Sequence, residues 1–264
     1  MLKLYHNDMS SCSQKVRLVL AEKRLKWENC HLELRSGEHQ QPWYVKLNPR
    51  AVVPTLVDGD IVVPESNVIN EYLDERFPDP PLKPTTPFGR AKMRLWTKQL
   101  DEGVHDAGIA VISFALAFRH QYIARGEAGR AMLESIPDPI KRERRRDVIE
   151  KGVESQHFRV AVARMLALYD DMEKALAQHR FLVGNDYTIA DAAFTPYVNR
   201  LDHLDIMGLL DGHPRVRDWY RRLQERPSFH EAITRWENAD YLKLMKRAGQ
   251  ENWPKVRELV RQLC

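Results

Sequence analysis

Two features between Leu47 and Leu73 could together hold a small extended peptide. The first is Val53-Pro54, because a cis X–Pro bond, usually found in a tight turn, would leave the Val53 backbone exposed there. The second is Glu65-Ser66 at the start of a helical pattern, where the Ser66 hydroxyl and backbone N–H favour a carboxylate. This interpretation competes with a simpler one, in which Glu65-Ser66 only caps the helix.

The elements that must position these residues are short and alternate in type. A strand, a helix and a second strand are followed by a hairpin about Asp58-Gly59-Asp60 and by another helix. The predicted bounds are 2–6, 13–23, 27–34, 55–63 for the hairpin, and 66–77. This order predicts a small mixed sheet with helices packed on it.

Beyond a proline-rich segment at residues 78–84, the apolar spacing is helical throughout. Such a segment is typical of a semi-rigid linker between domains. We therefore predict a first domain over residues 1–79, a linker over 80–88 and an all-helical domain over 89–264. Within the helical part, the spacing of Met93, Trp96, Leu100 and Val104 predicts a long helix that continues through residues 108–118, and residues 126–139 are predicted to form a connection. Residues 110–118 are apolar all round, which predicts burial or an apolar cavity. The sequence Thr188-Ile189-Ala190-Asp191 is a capping box with Asp in place of Glu.

The composition is ordinary for a soluble globular protein, and we expect the protein to be cytoplasmic. Of the 264 residues, 43% are hydrophobic and 30% are charged. The longest uncharged run, residues 107–118, is too short to span a bilayer, and no signal segment opens the chain. We therefore expect no membrane association.

Neither the cysteines nor the charges point to metal or nucleic acid. The three cysteines lack metal-ligand spacing, and His105-Asp106 and Asp202-His203 have no supporting ligands nearby in sequence. The net charge of +4 is too small to imply nucleic acid. The basic run at residues 141–146 is predicted to be a solvated helix face.

Five segments of the chain, in their order and spacing, resemble the cytosolic glutathione transferases. They are LYHNDMSSCSQKVRLVLAEK, NPRAVVPTL and ESNVINEYL in the first domain, and FLVGNDYTIADAAFTP and DWYRRLQERPSF in the second. The resemblance implies an α/β thioredoxin-like N-terminal domain, an all-α C-terminal domain, and a homodimer. It also implies a detoxification enzyme whose cosubstrate, glutathione, is bound mainly by the first domain.

The resemblance gives the residues between Leu47 and Leu73 specific roles. Val53, held before Pro54, pairs by its backbone with the cysteinyl part of glutathione, while Ser66 takes the γ-glutamyl carboxylate and Glu65 the ammonium group. The candidates for the glycyl carboxylate are Gln40, His39 and Arg50. Val52 departs from the family, which often has a polar glutathione contact at that position.

The loop at residues 10–13 is predicted to activate the glutathione thiol. A hydroxyl that donates a hydrogen bond to the sulfur lowers the thiol pKa, and a helix N-terminus helps. SSCSQKVR resembles the serine-using branches of the family, the zeta class above all, which places the hydroxyl at Ser10. Ser11 and Ser13 are close rivals, since a shift of one residue in a loop exchanges them, and some of these serines are expected to cap the helix.

Two other side chains near this loop have weaker claims to chemistry. Cys12 is a possible reactive thiol that forms a mixed disulfide with glutathione, although the cysteine-using omega class has its cysteine where Ser10 lies. Tyr5 is on the predicted strand and is expected to belong to the core.

The substrate is a hydrophobic electrophile of undetermined type. The segment RAKMRLWTKQLDEG resembles bacterial β-etherase-type enzymes, which cleave aryl ethers with glutathione. The aromatic residues Trp96, Phe114 and Phe118 wall an electrophile pocket or fill the helical core. Two alternatives remain open: a glutathione-dependent isomerase, and a non-catalytic glutathione-binding module of the same fold.

Overall fold

The computed structural model describes residues 1–136 and 138–263, so Pro137 and Cys264 lie outside the described residues. Contacts divide the chain into two compact units, and the first comprises Met1–Thr97, His179–Pro196 and Trp219–Asn238. The second unit comprises the remaining described residues. A small mixed sheet at the N-terminus followed by helices confirms the predicted fold class. The domain boundaries at residues 79 and 88 stay a prediction.

A four-stranded mixed sheet lies in the first unit, with the strand order β2-β1-β3-β4. Its strands are β1 (Leu2–His6), β2 (Trp27–His31), β3 (Thr55–Asp58) and β4 (Ile61–Pro64). Strand β1 pairs parallel with β2 and antiparallel with β3, and β3 and β4 form the hairpin. Strand β2 ends before Leu32, earlier than predicted, because the chain turns where the Glu38 carboxylate accepts the Glu33 N–H at 2.8 Å.

The helices follow the predicted order, with shifted ends. They are α1 (Ser11–Glu22), α2 (Pro42–Leu47), α3 (Ser66–Arg76), α4 (Pro87–Gln99), α5 (Ala110–Ser113), α6 (Arg119–Ala124), α7 (Glu127–Glu134), α8 (Pro139–Lys151), α9 (Gln156–Leu176), α10 (Ile189–His203), α11 (Pro214–Gln224), α12 (Pro227–Ala232) and α13 (Ala239–Leu263). Helix α7 replaces what the glycine content around residue 126 predicted to be a connection.

The proline-rich segment is anchored within the first unit. The buried Lys23 ammonium lies 2.7 Å from the Asp74 carboxylate and donates to the carbonyls of Phe77 and Pro80 at 2.7 and 2.8 Å. The Leu82 N–H donates to the same Asp74 carboxylate at 2.8 Å. A buried ion pair whose remaining hydrogen bonds are satisfied holds its surroundings in one arrangement. This segment is therefore held in place within the first unit, and its role as a semi-rigid linker stays a prediction.

Helical structure in the second unit is interrupted at Gly103, where the sequence predicted one continuous helix. Gly103 has φ of 121°, a left-handed value that favours glycine, inside the π-helical segment Leu100–Ile109. A Cβ at this position would lie 3.0 Å from an Arg164 guanidinium nitrogen, so the close approach also favours glycine. A second π-helical segment, Phe114–Phe118, follows α5.

The basic run at residues 141–146 lies on α8, but it is paired and half-buried where a solvated face was predicted. Lys141 forms an ion pair with Asp106, and Arg146 pairs with Glu134. The Arg145 guanidinium lies 3.2 Å from the centre of the Phe114 ring. The prediction failed because the acidic partners come from other segments of the chain, which the local sequence pattern does not reveal.

The helical stretch Pro87–Ala124 is long and apolar enough, by length and composition, to cross a membrane. These two criteria are weak grounds by themselves, because core helices of soluble proteins also satisfy them.

Candidate active site

The loop that carries Val53 is held by a buried polar cluster. The Val52 carbonyl accepts hydrogen bonds from the Tyr44 hydroxyl at 2.6 Å and from the Asn48 amide at 2.9 Å. Tyr44 and Asn48 also lie 2.9 Å from the Thr55 hydroxyl. Fully satisfied polar networks of this kind rigidify their surroundings. The backbone on both sides of Val53 is therefore fixed.

Val53 is half-buried and stands before a buried Pro54, and the bond between them is cis. Among residues 1–136 and 138–263, no group forms a hydrogen bond with the Val53 backbone. Backbone N–H and C=O groups strongly prefer a partner. The Val53 backbone can therefore pair with the extended backbone of a ligand.

Glu65 and Ser66 begin α3 without a side-chain cap. Glu65 is the N-cap residue, with φ of 70° and ψ of 114°, and its side chain makes no capping hydrogen bond. Such a non-glycine conformation costs about 1–3 kcal/mol and is found preferentially at active sites. The N–H groups of the first turn have no acceptor within the helix. These features favour an anion at this helix end over the simple capping role.

The predicted ligand residues Arg50 and Glu65 contact each other. An Arg50 guanidinium nitrogen forms an ion pair with the Glu65 carboxylate, and both side chains are exposed. An exposed ion pair is worth at most about 1 kcal/mol, so it exchanges readily for a charged ligand.

The three serines of the loop differ in what they can offer a ligand. Ser10 is the N-cap of α1; it is half-buried, and its hydroxyl oxygen accepts the Ser13 N–H at 3.3 Å. Ser13 is fully buried, and its hydroxyl oxygen accepts the Asn7 N–H at 3.3 Å. Ser11 is buried in the first helical turn. Of the three, Ser10 is the most exposed residue, and its O–H can still donate.

The remaining candidates lie at the edges of this group. Cys12 is half-buried in the first turn of α1. Gln40 is exposed and His39 half-buried on the short 3₁₀ turn Glu38–Gln40, and burial lowers the pKa of His39. Tyr5 is half-buried, with its ring centre 5.9 Å from that of Tyr44, and burial raises its pKa. Tyr5 is therefore only partly packed, where the sequence predicted a core position.

Arg17, which the sequence pattern did not single out, positions the segment before Ser10. It is only 1% exposed, and its guanidinium donates to the Asn7 and Asp8 carbonyls at 2.9 and 2.7 Å. It also donates to the Ala232 carbonyl at 2.7 Å and to His6 Nδ1 at 2.9 Å. This fixed fork of donors holds the β1–α1 connection in place.

His6 is locked in its neutral form by the same network. Because Arg17 only donates, His6 Nδ1 must accept, and Nε2 therefore carries the proton that it donates to the Asn29 amide oxygen at 2.7 Å. Burial, and secondarily the Arg17 charge, lower the pKa of His6 to about 3.

We expect acid to destabilise the protein through His6. The unfolded imidazole titrates near pH 6.5 and the folded one near 3, so between these values only the unfolded state binds the proton. The free energy of unfolding should therefore fall with decreasing pH below 6.5, by up to about 1.4 kcal/mol per pH unit from this group. Urea unfolding midpoints between pH 7 and pH 4 measure the effect.

The control for this experiment is His6→Gln, which can accept from Arg17 and donate to Asn29 but does not titrate. Its stability should fall less steeply with acid than that of the wild type. Identical slopes in the two proteins would show that His6 is not the group responsible.

No group of three or more His, Cys, Asp or Glu side chains suited to a metal occurs in the part of the chain that the structure describes.

Comparisons with known proteins agree with this architecture. A model of the glutathione S-transferase N-terminal domain matches residues 9–76, and one of the C-terminal domain matches residues 137–222. Protein LigF of Sphingobium sp. (strain NBRC 103272 / SYK-6) is 30% identical over 258 residues, which cover 92% of this chain and 96% of LigF. Glutathione S-transferase 3 of Zea mays is 29% identical over 236 residues, 88% of this chain and 93% of its own length.

Two further matches bear on subtype. The crystal structure of the beta-etherase LigF from Sphingobium sp. strain SYK-6 has a TM-score of 0.79 at 28% identity, covering 89% of this chain and 99% of LigF. Glutathione S-transferase Z1 of Arabidopsis thaliana is 44% identical over 90 residues, 34% of this chain and 41% of its own length. The chain belongs to the glutathione S-transferase family. Its activity is that of a glutathione transferase, with glutathione as cosubstrate.

Proposed function

We propose that Ser10 donates a hydrogen bond to the glutathione sulfur and that the resulting thiolate attacks a hydrophobic electrophile. The observation that supports this most is the state of the Ser10 hydroxyl. It is half-buried at the N-terminus of α1, and its oxygen already accepts the Ser13 N–H. That bond leaves the O–H to donate, and the helix N-terminus favours negative charge on the sulfur. Both effects lower the thiol pKa.

The rest of glutathione is proposed to follow the elements around Val53 and Ser66. The Val53 backbone pairs with the cysteinyl part, Ser66 takes the γ-glutamyl carboxylate, and Glu65 takes the ammonium group. The ion pair between Arg50 and Glu65 then opens, which frees Arg50 for the glycyl carboxylate. Gln40 and His39 are the other candidates for that carboxylate.

We propose an aryl ether as the electrophile, supported by the similarity to the beta-etherase LigF. The thiolate attacks the carbon that bears the aryloxy group, a C–S bond forms, the C–O bond breaks, and the electron pair leaves with the phenolate. A row of half-buried aromatic side chains in the second unit suits an aromatic substrate. Phe114 has ring centres 5.5 Å from Phe118 and 5.8 Å from Tyr122.

A glutathione-dependent isomerase is a second candidate, favoured by the 44% identity to the Arabidopsis Z1 enzyme over 90 residues. An isomerase returns glutathione unchanged, whereas a transferase or etherase retains it in the first product. The stoichiometry of glutathione consumption therefore separates the two activities.

We also propose a cytoplasmic homodimer. Exposed apolar side chains support self-association: Val68 on α3 and Phe88 and Leu95 on α4. The two helices contact each other through Arg94, whose guanidinium lies 2.7 Å from the Glu71 carboxylate. Exposed apolar patches of this kind commonly mark protein interfaces.

The direct test has two stages. The purified protein should be retained on immobilised glutathione and eluted by free glutathione, because Val53, Glu65 and Ser66 hold the tripeptide. It should then conjugate glutathione to a reactive aryl halide and cleave members of a panel of aryl ethers, with the thioether and the phenol identified by mass spectrometry.

Each failure in this test has a distinct meaning. Retention without turnover of any electrophile would favour the non-catalytic module. Lack of retention, together with lack of turnover, would contradict the glutathione site itself. Turnover of aryl halides but of no aryl ether would leave a general conjugating enzyme.

A further inference from the structure

We infer that Lys15 is a further glutathione-binding residue with two roles. It donates to the Ser66 hydroxyl oxygen, so that the Ser66 O–H can donate to the ligand, and it supplies positive charge for the γ-glutamyl carboxylate. This inference rests on the proposed glutathione site. Lys15 lies on α1 and is only 1% exposed, and its ammonium nitrogen is 3.4 Å from the Ser66 hydroxyl oxygen. A fully buried lysine is rare in proteins, so its position beside a candidate ligand residue calls for a role.

The chemistry of the two groups fixes the direction of their hydrogen bond. A lysine ammonium carries three donors and no acceptor, so the Ser66 oxygen must accept. The single O–H of Ser66 is then left to donate to another group. Ser66 is itself 6% exposed, at the first position of α3. A carboxylate, which only accepts when ionised, is the natural partner for that O–H.

The charges around Ser66 favour the same ligand. The first turn of α3 contains no acidic residue, and the N-cap side chain of Glu65 does not satisfy the helix N–H groups. The Glu65 carboxylate is paired with Arg50 in this structure and, in the proposed complex, with the ammonium group of glutathione, so its charge is compensated in both states. The ammonium and the positive end of the helix dipole therefore act together, in a buried place where charges interact more strongly than in water.

The γ-glutamyl end of glutathione carries both a carboxylate and an amine, so ligand analogues can isolate the role of Lys15. Calorimetry should compare glutathione with two tripeptides in which the γ-glutamyl group is replaced. A 4-aminobutyryl group lacks the carboxylate, and a glutaryl group lacks the amine. In Lys15→Met we expect affinity for glutathione and for the glutaryl analogue to fall about 10- to 100-fold, the usual range for a hydrogen bond to a charged group. Affinity for the aminobutyryl analogue should change less than about threefold.

The kinetic signature follows from the part of glutathione that Lys15 is inferred to bind, which is the γ-glutamyl end and not the thiol. The KM for glutathione should rise in Lys15→Met, while kcat at saturating glutathione stays close to that of the wild type. Lys15→Gln, which keeps a donor but lacks the charge, should show the same selectivity for the carboxylate. If Lys15→Met does not fold, Lys15→Gln takes its place in the comparison of the three ligands.

Lys23→Gln is the matched control, since Lys23 is another buried lysine, at the C-cap of α1, and is paired with Asp74. It should lose stability but retain the wild-type preference for glutathione over the aminobutyryl analogue. Equal weakening of all three ligands by the Lys15 variants would overturn the role of Lys15 and leave the proposed function intact. A wild-type protein that binds none of the three ligands would overturn the proposed function and, with it, the inference.

Discussion

Replacement of Ser10 by alanine is expected to lower kcat about 100-fold, at the upper end of the effect of a hydrogen bond to a charged group. Without the O–H donor, the pKa of the bound thiol should return towards the value of about 8.5 of a free thiol. The pH dependence of kcat/KM should shift upward accordingly. Stopped-flow or steady-state conjugation of an aryl halide between pH 6 and pH 9 measures both effects.

Ser10→Ala also removes the α1 cap, because the Ser10 oxygen accepts the Ser13 N–H. Loss of such a cap costs about 1 kcal/mol of stability. Ser10→Asp separates the two roles, since aspartate caps a helix as well as serine but its carboxylate cannot donate to a sulfur. It should therefore keep the stability of the wild type and lose the activity.

The neighbouring serines are the controls for assignment. Ser11→Ala and Ser13→Ala change buried hydroxyls and should keep kcat within a few-fold of the wild type. Wild-type activity in Ser10→Ala would refute the assignment. A large loss in Ser11→Ala instead would move the thiol-activating role by one residue.

Asp191→Ala is expected to lower the free energy of unfolding by about 3–5 kcal/mol, the cost of breaking a buried network around a charge. Asp191 is fully buried in the first unit. One carboxylate oxygen accepts the Leu182 N–H at 3.0 Å and the Trp219 indole N–H at 2.9 Å. The other accepts the N–H and the hydroxyl of Thr188, each at 3.0 Å.

These four hydrogen bonds compensate for the burial of the Asp191 carboxylate. Burial raises the pKa of Asp191, while the hydrogen bonds from Leu182, Trp219 and Thr188 oppose the rise. Alanine would leave the donors buried without an acceptor, each at a cost of about 1–3 kcal/mol before relaxation. Urea unfolding followed by tryptophan fluorescence measures the loss.

Asp186→Ala is the matched control, because Asp186 is an exposed aspartate in the same segment. Surface substitutions of this kind usually change stability by less than about 0.5 kcal/mol. Equal urea unfolding midpoints for Asp191→Ala and Asp186→Ala would show that the hydrogen bonds of Asp191 add no stability beyond that of a surface charge.

The elements around the site follow from local sequence signals. The hairpin at Gly59, the start of α3 at Ser66 and the capping box at Thr188 all depend on residues close together in the chain. For that reason their existence and type are readable from spacing. The ends of these elements are harder to predict, because a single residue can decide where a helix begins. Helix α1 begins at Ser11, before the predicted position, because Ser10 is its cap.

The second unit shows where local patterns fail. The apolar spacing from Met93 to Val104 and on to Phe118 predicted one continuous helix, but Gly103 adopts a left-handed φ against Arg164. The basic run on α8 has the composition of a solvated face, yet Lys141 pairs with Asp106, far away in the chain. A helical period identifies a face of the helix but does not identify what packs on it.

Within the candidate site, local motifs in the chain are enough to predict roles for Val53-Pro54, Glu65-Ser66 and the serines near α1, since these residue types stand in the order typical of glutathione transferases. Only the tertiary structure placed Lys15 beside Ser66, 51 residues away in the chain, and joined Arg17 to the Ala232 carbonyl, 215 residues away. The physical reason is that buried charges find their partners through packing of whole elements, which short sequence patterns do not encode.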